Sequence, residues 1–117
     1  MTTSCNPKPG EIWLAYVEFS DHPGVGKVRP VVVLEVREST CVALAAKVTS
    51  KDLKAAKGVP CAPIIGWESC GLRAPSYVRL DQRLVISFER LLRGEPLGSV
   101  SELFLKLIIG EINANGC

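Results

Sequence analysis

At 117 residues, with 47% apolar and 22% charged side chains and a formal net charge of +2, the chain has the composition of one compact globular domain, not of a disordered segment. So small a net charge permits an anionic partner without demanding one, because domains dedicated to nucleic acid are often far more basic. The first residues, MTTSCNPKPGE, carry no signal-peptide apolar run, and VVVLEV and LFLKLIIGEI are too short or too interrupted to span a bilayer, so a soluble, cytoplasmic protein is expected.

In chain order, EIWLAYVEF (Glu11 to Phe19) alternates Ile12, Leu14 and Tyr16 with Trp13, Ala15, Val17 and Phe19, which predicts a first strand with two apolar faces. SDHPGVG is dense in turn residues and reads as a loop. The valine run of KVRPVVVLEV predicts a central second strand, with Pro30 at its start or edge because proline cannot donate to a ladder. CVALAAKV, ending at Thr49, predicts a third strand, and YVRLDQRLVIS one or two more. The intervening SKDLKAAKGVPCAPIIGWESCGLRAPS opens with helical spacing and then dissolves into glycine and proline, as long loops do.

The last predicted element is a helix. Ser99 and Glu102 are placed as a capping box, and Gly116 as its C-terminal cap. One face is expected from Val100, Leu103, Phe104, Leu107 and Ile108; Leu105, Ile109 and Ile112 widen it enough to point to a second subunit as well as the sheet. The whole is mainly β: a small, strongly curved or closed antiparallel sheet with a C-terminal helix. It forms a single domain over residues 1–117, with its core at about 10–115.

Chemistry is harder to find. Cys5, Cys41, Cys61, Cys70 and Cys117 form no C-x-x-C pair and are widely scattered, so neither a zinc knuckle nor a closed disulfide framework is signalled, and reduced thiols are expected. A lone histidine, His22, argues against a His-based metal centre. There is no phosphate loop, no H-E-x-x-H and no G-x-S-x-G. Chemistry would have to come from Arg, Thr, Ser, Lys, carboxylates or His22.

The ordered set GEIWLAYVEF, a Gly-rich loop, KVRPVVVL, KVTSK and GLRAPSYVRLDQ resembles the PemK/MazF family of toxin endoribonucleases, from about Gly10 to Ile112. That resemblance implies a small SH3-like barrel with a C-terminal helix and a homodimer. It implies metal-independent, cofactor-free cleavage of single-stranded RNA, and an antitoxin partner. By motif, Arg29 in VRP and Thr49 in VTS match the residues on which the family's cleavage depends. Attack by the ribose 2′-hydroxyl needs fixed donors where negative charge grows, and a guanidinium matches a phosphate bidentately where an ammonium cannot. Thr49 would add a hydroxyl donor.

Many family members carry an acidic residue in the loop before the arginine, where this chain has Gly24 and Val25, so His22 is the candidate base, its ordinary pKa of about 6.5 being suited to proton transfer. Lys27, Lys47, Ser50, Lys51, Lys54, Asp81 and Gln82 are candidates for substrate binding; Trp67 and Tyr77 lie where relatives shape base recognition. Each has a plainer reading: a solvated strand-end charge for Arg29, a cap for Thr49, a surface loop for His22, a solubilising face for the lysines and core for Trp67. Two other functions stay open. A CcdB-like gyrase-poisoning toxin shares the architecture, but its C-terminal Trp-Gly-Ile pattern is replaced here by NANGC; an inactive small-barrel interaction domain would make Arg29 and Thr49 incidental.

Overall fold

The computed structural model of the protein describes residues 6–19 and 22–115. β1 (Glu11–Phe19) pairs antiparallel with β2 (His22–Arg37), and β2 pairs antiparallel with β3 (Val42–Thr49). β4 (Cys61–Pro63) and β5 (Tyr77–Arg79) continue beyond β3, while β6 (Leu84–Ser87) also pairs with β3 and β7 (Gly98–Ser99) closes on β1. The strands form a curled antiparallel half-barrel. A short helix α1 (Leu53–Lys57) follows β3, and α2 (Glu102–Ala114) ends the fold.

β2 begins at His22, five residues earlier than its valine pattern indicated, and Pro30 lies inside it opposite Leu14. Two features permit this. The β1–β2 register shifts between Glu18 and Phe19, absorbing the Pro23–Val25 excursion, and β2 pairs with β3 only from Val31 onward. A side chain on Gly26 would collide with the Val17 carbonyl, so glycine is needed where the hairpin closes up. The expected loop after Thr49 also contains strand β4, too short for a period-2 pattern to show.

Strand alternation sorts the apolar residues into two cores. Ile12, Val32, Leu34, Ala46, Val48 and Val78 point to one face, where Ile108 and Ile112 of α2 cover them with Phe104, Leu105 and Ile109 beside them. Trp13, Ala15, Val17, Val31, Val33, Ala43, Ala45, Ile86 and Leu91 point to the other. The helix is rotated from its expected orientation: Leu103 and Leu107 remain 79% and 54% exposed. Its N-cap is Ser101, whose Oγ accepts from the Phe104 N–H at 3.1 Å, whereas Ser99 lies in β7. Asn115 is the C-cap, and the expected Gly116 cap lies outside the described residues.

Among the described residues no helix is long and apolar enough to cross a membrane.

Candidate functional site

The face turned away from α2 changes character along its strands. Its middle is the Trp13–Val31–Ala45 core, but one residue pair further on the alternation delivers polar side chains. Lys47 is paired with Val31, and Thr49 with Tyr77. Continuing the β2–β3 register by two residues sets Arg29 opposite Thr49, and continuing the β3–β5 register sets Arg79 opposite Lys47. Residues two apart on a strand share a face, so Arg29, Lys47, Thr49, Tyr77 and Arg79 all emerge together. Arg29, expected at a strand start, is well inside β2.

β3 supplies the opening for this cluster. Its outer edge is held by β6 from Val42 to Ala45 and by β5 at Val48 and Thr49, and the Leu80–Arg83 connection bridges the two. Asp81 and Gln82, both half-buried, therefore sit in the turn flanking Lys47.

The two arginines are held differently. Arg79 grips Asp81 in a bidentate pair, Nε to Oδ1 at 3.0 Å and Nη2 to Oδ2 at 2.5 Å. The hydrogen bond from Arg79 holds the Asp81 carboxyl below the ordinary carboxylate range, against the opposing pull of burial. Arg29 makes no such pair, and its Nε is buried without a hydrogen-bond partner among the described residues. A buried donor left unmade costs roughly 1–3 kcal/mol, more when charged. Such a donor is suited to an anionic oxygen arriving from outside.

Lys47 is half-buried between them. Burial first, then the Arg29 and Arg79 guanidinium groups, push its ammonium below the ordinary lysine value, with Asp81 pulling the other way. Three cations thus share one carboxylate, leaving a local excess of positive charge. Thr49 Oγ1 accepts the Lys51 N–H at 3.1 Å, which fixes the hydroxyl while its own proton stays available to donate.

The remaining sequence candidates are spread more widely. Lys27 is exposed, two residues from Arg29 on the same face. Ser50, Lys51 and Lys54 are exposed on the turn after β3 and in α1. His22 is exposed and paired with Phe19, four ladder positions beyond Ala15, the partner of Arg29; at about 3.4 Å per residue that is about 14 Å away. The fold does not bring it to Arg29. Trp67 packs against the core beneath α2, on the opposite side of the sheet. Arg79 was missed from sequence, although the i, i+2 spacing of Arg79 and Asp81 in YVRLDQ marks them as neighbours on one strand face.

A profile of PemK-like, MazF-like toxins of type II toxin–antitoxin systems matches residues 8–114. The crystal structure of MazF (Form-I) from Deinococcus radiodurans is similar to this chain, with a TM-score of 0.64 at 24% identity, over 92% of this chain and 94% of that one. That likeness bears on the fold. A search of curated proteins found no sequence match.

Proposed function

Because the chain belongs to the PemK-like, MazF-like toxins of type II toxin–antitoxin systems, we propose that it is a sequence-selective endoribonuclease acting on single-stranded RNA without a metal. The ribose 2′-hydroxyl attacks the adjacent phosphorus, the 5′-oxygen leaves, and the products carry a 2′,3′-cyclic phosphate and a 5′-hydroxyl. Arg29 holds the non-bridging phosphate oxygens as negative charge grows on them, and the Thr49 hydroxyl donates to the same phosphate. The observation that carries this reading is the unpartnered, buried Nε of Arg29 on a face that Lys47 and Arg79 also make positive.

Lys27 continues that face along β2, and Ser50, Lys51 and Lys54 extend from it along the turn into α1, where they suit the sugar–phosphate backbone on either side of the cut. Family membership brings with it an antitoxin partner. A segment of the antitoxin offering carboxylates to Arg29 would silence the site by charge pairing. The exposed Leu103 and Leu107 on α2, and Val85 on β6, fit a chain that works as a homodimer. Sedimentation at micromolar concentration tests that state, and a strict monomer contradicts it.

The test of activity is direct. Purified protein incubated with single-stranded RNA in EDTA is expected to yield discrete fragments with cyclic-phosphate and 5′-hydroxyl ends, and Arg29→Ala none. Fragments bearing 5′-phosphates, or equal cutting by Arg29→Ala, would remove the proposal.

A further inference from the structure

We propose that Lys47 is the general acid of this site, donating its Nζ proton to the departing 5′-oxygen; the assignment rests on the nuclease reading above. The geometry selects it. Lys47 lies on β3 two residues from Thr49 and on the same face, beside the position where Arg29 and Thr49 converge. The charged groups facing it are Arg29 from β2, Arg79 from β5 and Asp81 from the turn after β5.

Elimination then narrows the choice. Guanidinium groups release no proton in this range, so Arg29 and Arg79 can hold a phosphate but not protonate an alkoxide. Asp81 is bound as a carboxylate to Arg79 through both oxygens. His22 is about 14 Å along the ladder. Lys27 is exposed further along β2, and Tyr77, opposite Thr49, is the rival donor on this face.

A lysine is charged near neutrality, and two guanidinium neighbours in a half-buried setting loosen its proton. Both properties suit a donor better than an acceptor. In the step, the 2′-oxygen–phosphorus bond forms as the phosphorus–5′-oxygen bond breaks. The electron pair of the broken bond remains on the 5′-oxygen and takes the Lys47 proton. The 2′-hydroxyl proton passes to water, and neutral Lys47 is reprotonated from water after release.

The test uses two RNA substrates that differ at one atom: the ordinary one, and one with sulfur replacing the bridging 5′-oxygen at the cut. A thiol has a pKa of about 8.5, so its thiolate leaves without an acid. Lys47→Met is expected to slow the oxygen substrate by about 10²- to 10⁴-fold, the range of general acid catalysis, and to cut the sulfur substrate at close to the wild-type rate. Lys47→Arg keeps the charge without the transferable proton and should behave like Lys47→Met. The wild-type kcat/KM should fall at high pH on the oxygen substrate, and that fall should vanish in Lys47→Met.

Equal slowing of both substrates, or full oxygen-substrate activity in Lys47→Arg, would overturn the assignment while leaving the nuclease reading intact. If instead Tyr77→Phe alone gave the substrate-selective loss, the acid would be Tyr77 and the proposal wrong. Wild-type protein that cut neither substrate would bring down the nuclease reading itself.

Discussion

The two faces of the curled sheet come from the same strands, often from neighbouring residues, yet they are finished in different ways. On the helix side, Val48 and Val78 pair in the ladder and end under Ile108 and Ile112, and the Ser101 hydroxyl caps the start of α2. On the other side, Thr49, Lys47 and Arg79, each one residue away from those valines, carry cations and a hydroxyl, and the Arg29 Nε has no acceptor among the described residues. The first face stores stability; the second holds binding capacity unused by the fold. Substitutions at Arg29 and Thr49, at the polar end of the open face, should therefore change activity more than stability, and substitutions in the helix-side core stability more than activity.

The largest expected effect is on the open face. Arg29→Ala should abolish RNA cleavage while thermal unfolding stays near wild type, because the buried Arg29 Nε makes no hydrogen bond to the described residues that its removal would take from the fold. Arg29→Lys should rescue poorly for want of the two-pronged fork. Next, Thr49→Ala should cost roughly 2.7–4 kcal/mol of transition-state stabilisation, read as a fall in kcat larger than any rise in KM.

Ile108→Ala on the covered face should lower unfolding free energy by about 2–5 kcal/mol in urea titrations, with cleavage per folded molecule unchanged. A smaller loss, about 0.5–2 kcal/mol, is expected for Ser101→Ala, since it deletes the cap of α2. If either of these slowed cleavage by folded protein, the separation of the faces would fail. His22→Ala should leave the rate unaltered, given its distance from Arg29; a large loss would return it to the chemistry.

The Arg79–Asp81 pair sits on the open face but acts on stability, and pH sharpens the point. Its folded-state pKa is lowered below the ordinary 3.8, so the contribution is full above that value and is lost as pH falls through the lower folded value. Unfolding measured below about pH 4 should show this loss. Asp81→Asn should flatten it.

Much of this arrangement was legible in the sequence, for identifiable reasons. Period-2 alternation in EIWLAYVEF and CVALAAKV gave β1 and β3 nearly to the residue, because both faces of these strands are apolar and β-forming residues run through them. The adjacency of Arg29 and Thr49 followed from placing them on consecutive antiparallel strands. The start of β2 was hidden because its first residues, HPGVG, have turn chemistry yet pair through a bulge. The orientation of α2 was hidden too: a helix apolar nearly all round does not say which stripe meets the sheet, and only packing leaves Leu103 and Leu107 outside. The cap was expected at Ser99, but the brief β7 pairing to Glu11 holds Ser99 in the sheet and Ser101 caps the helix instead. The Leu80–Arg83 turn, which brings Asp81 to Lys47, depends on β5 and β6 sharing one edge of β3, a long-range pairing no local pattern encodes.

The most direct test of the central claim is single-turnover cleavage of a matched pair of RNAs, one carrying a single 2′-deoxyribose immediately 5′ of the scissile phosphate. Wild-type protein is predicted to bind both and, in EDTA, to cut only the all-ribose strand, because the attacking oxygen belongs to the substrate and Arg29 and Thr49 only stabilise what it creates. Cleavage of the deoxy-substituted strand at the same bond would contradict the account.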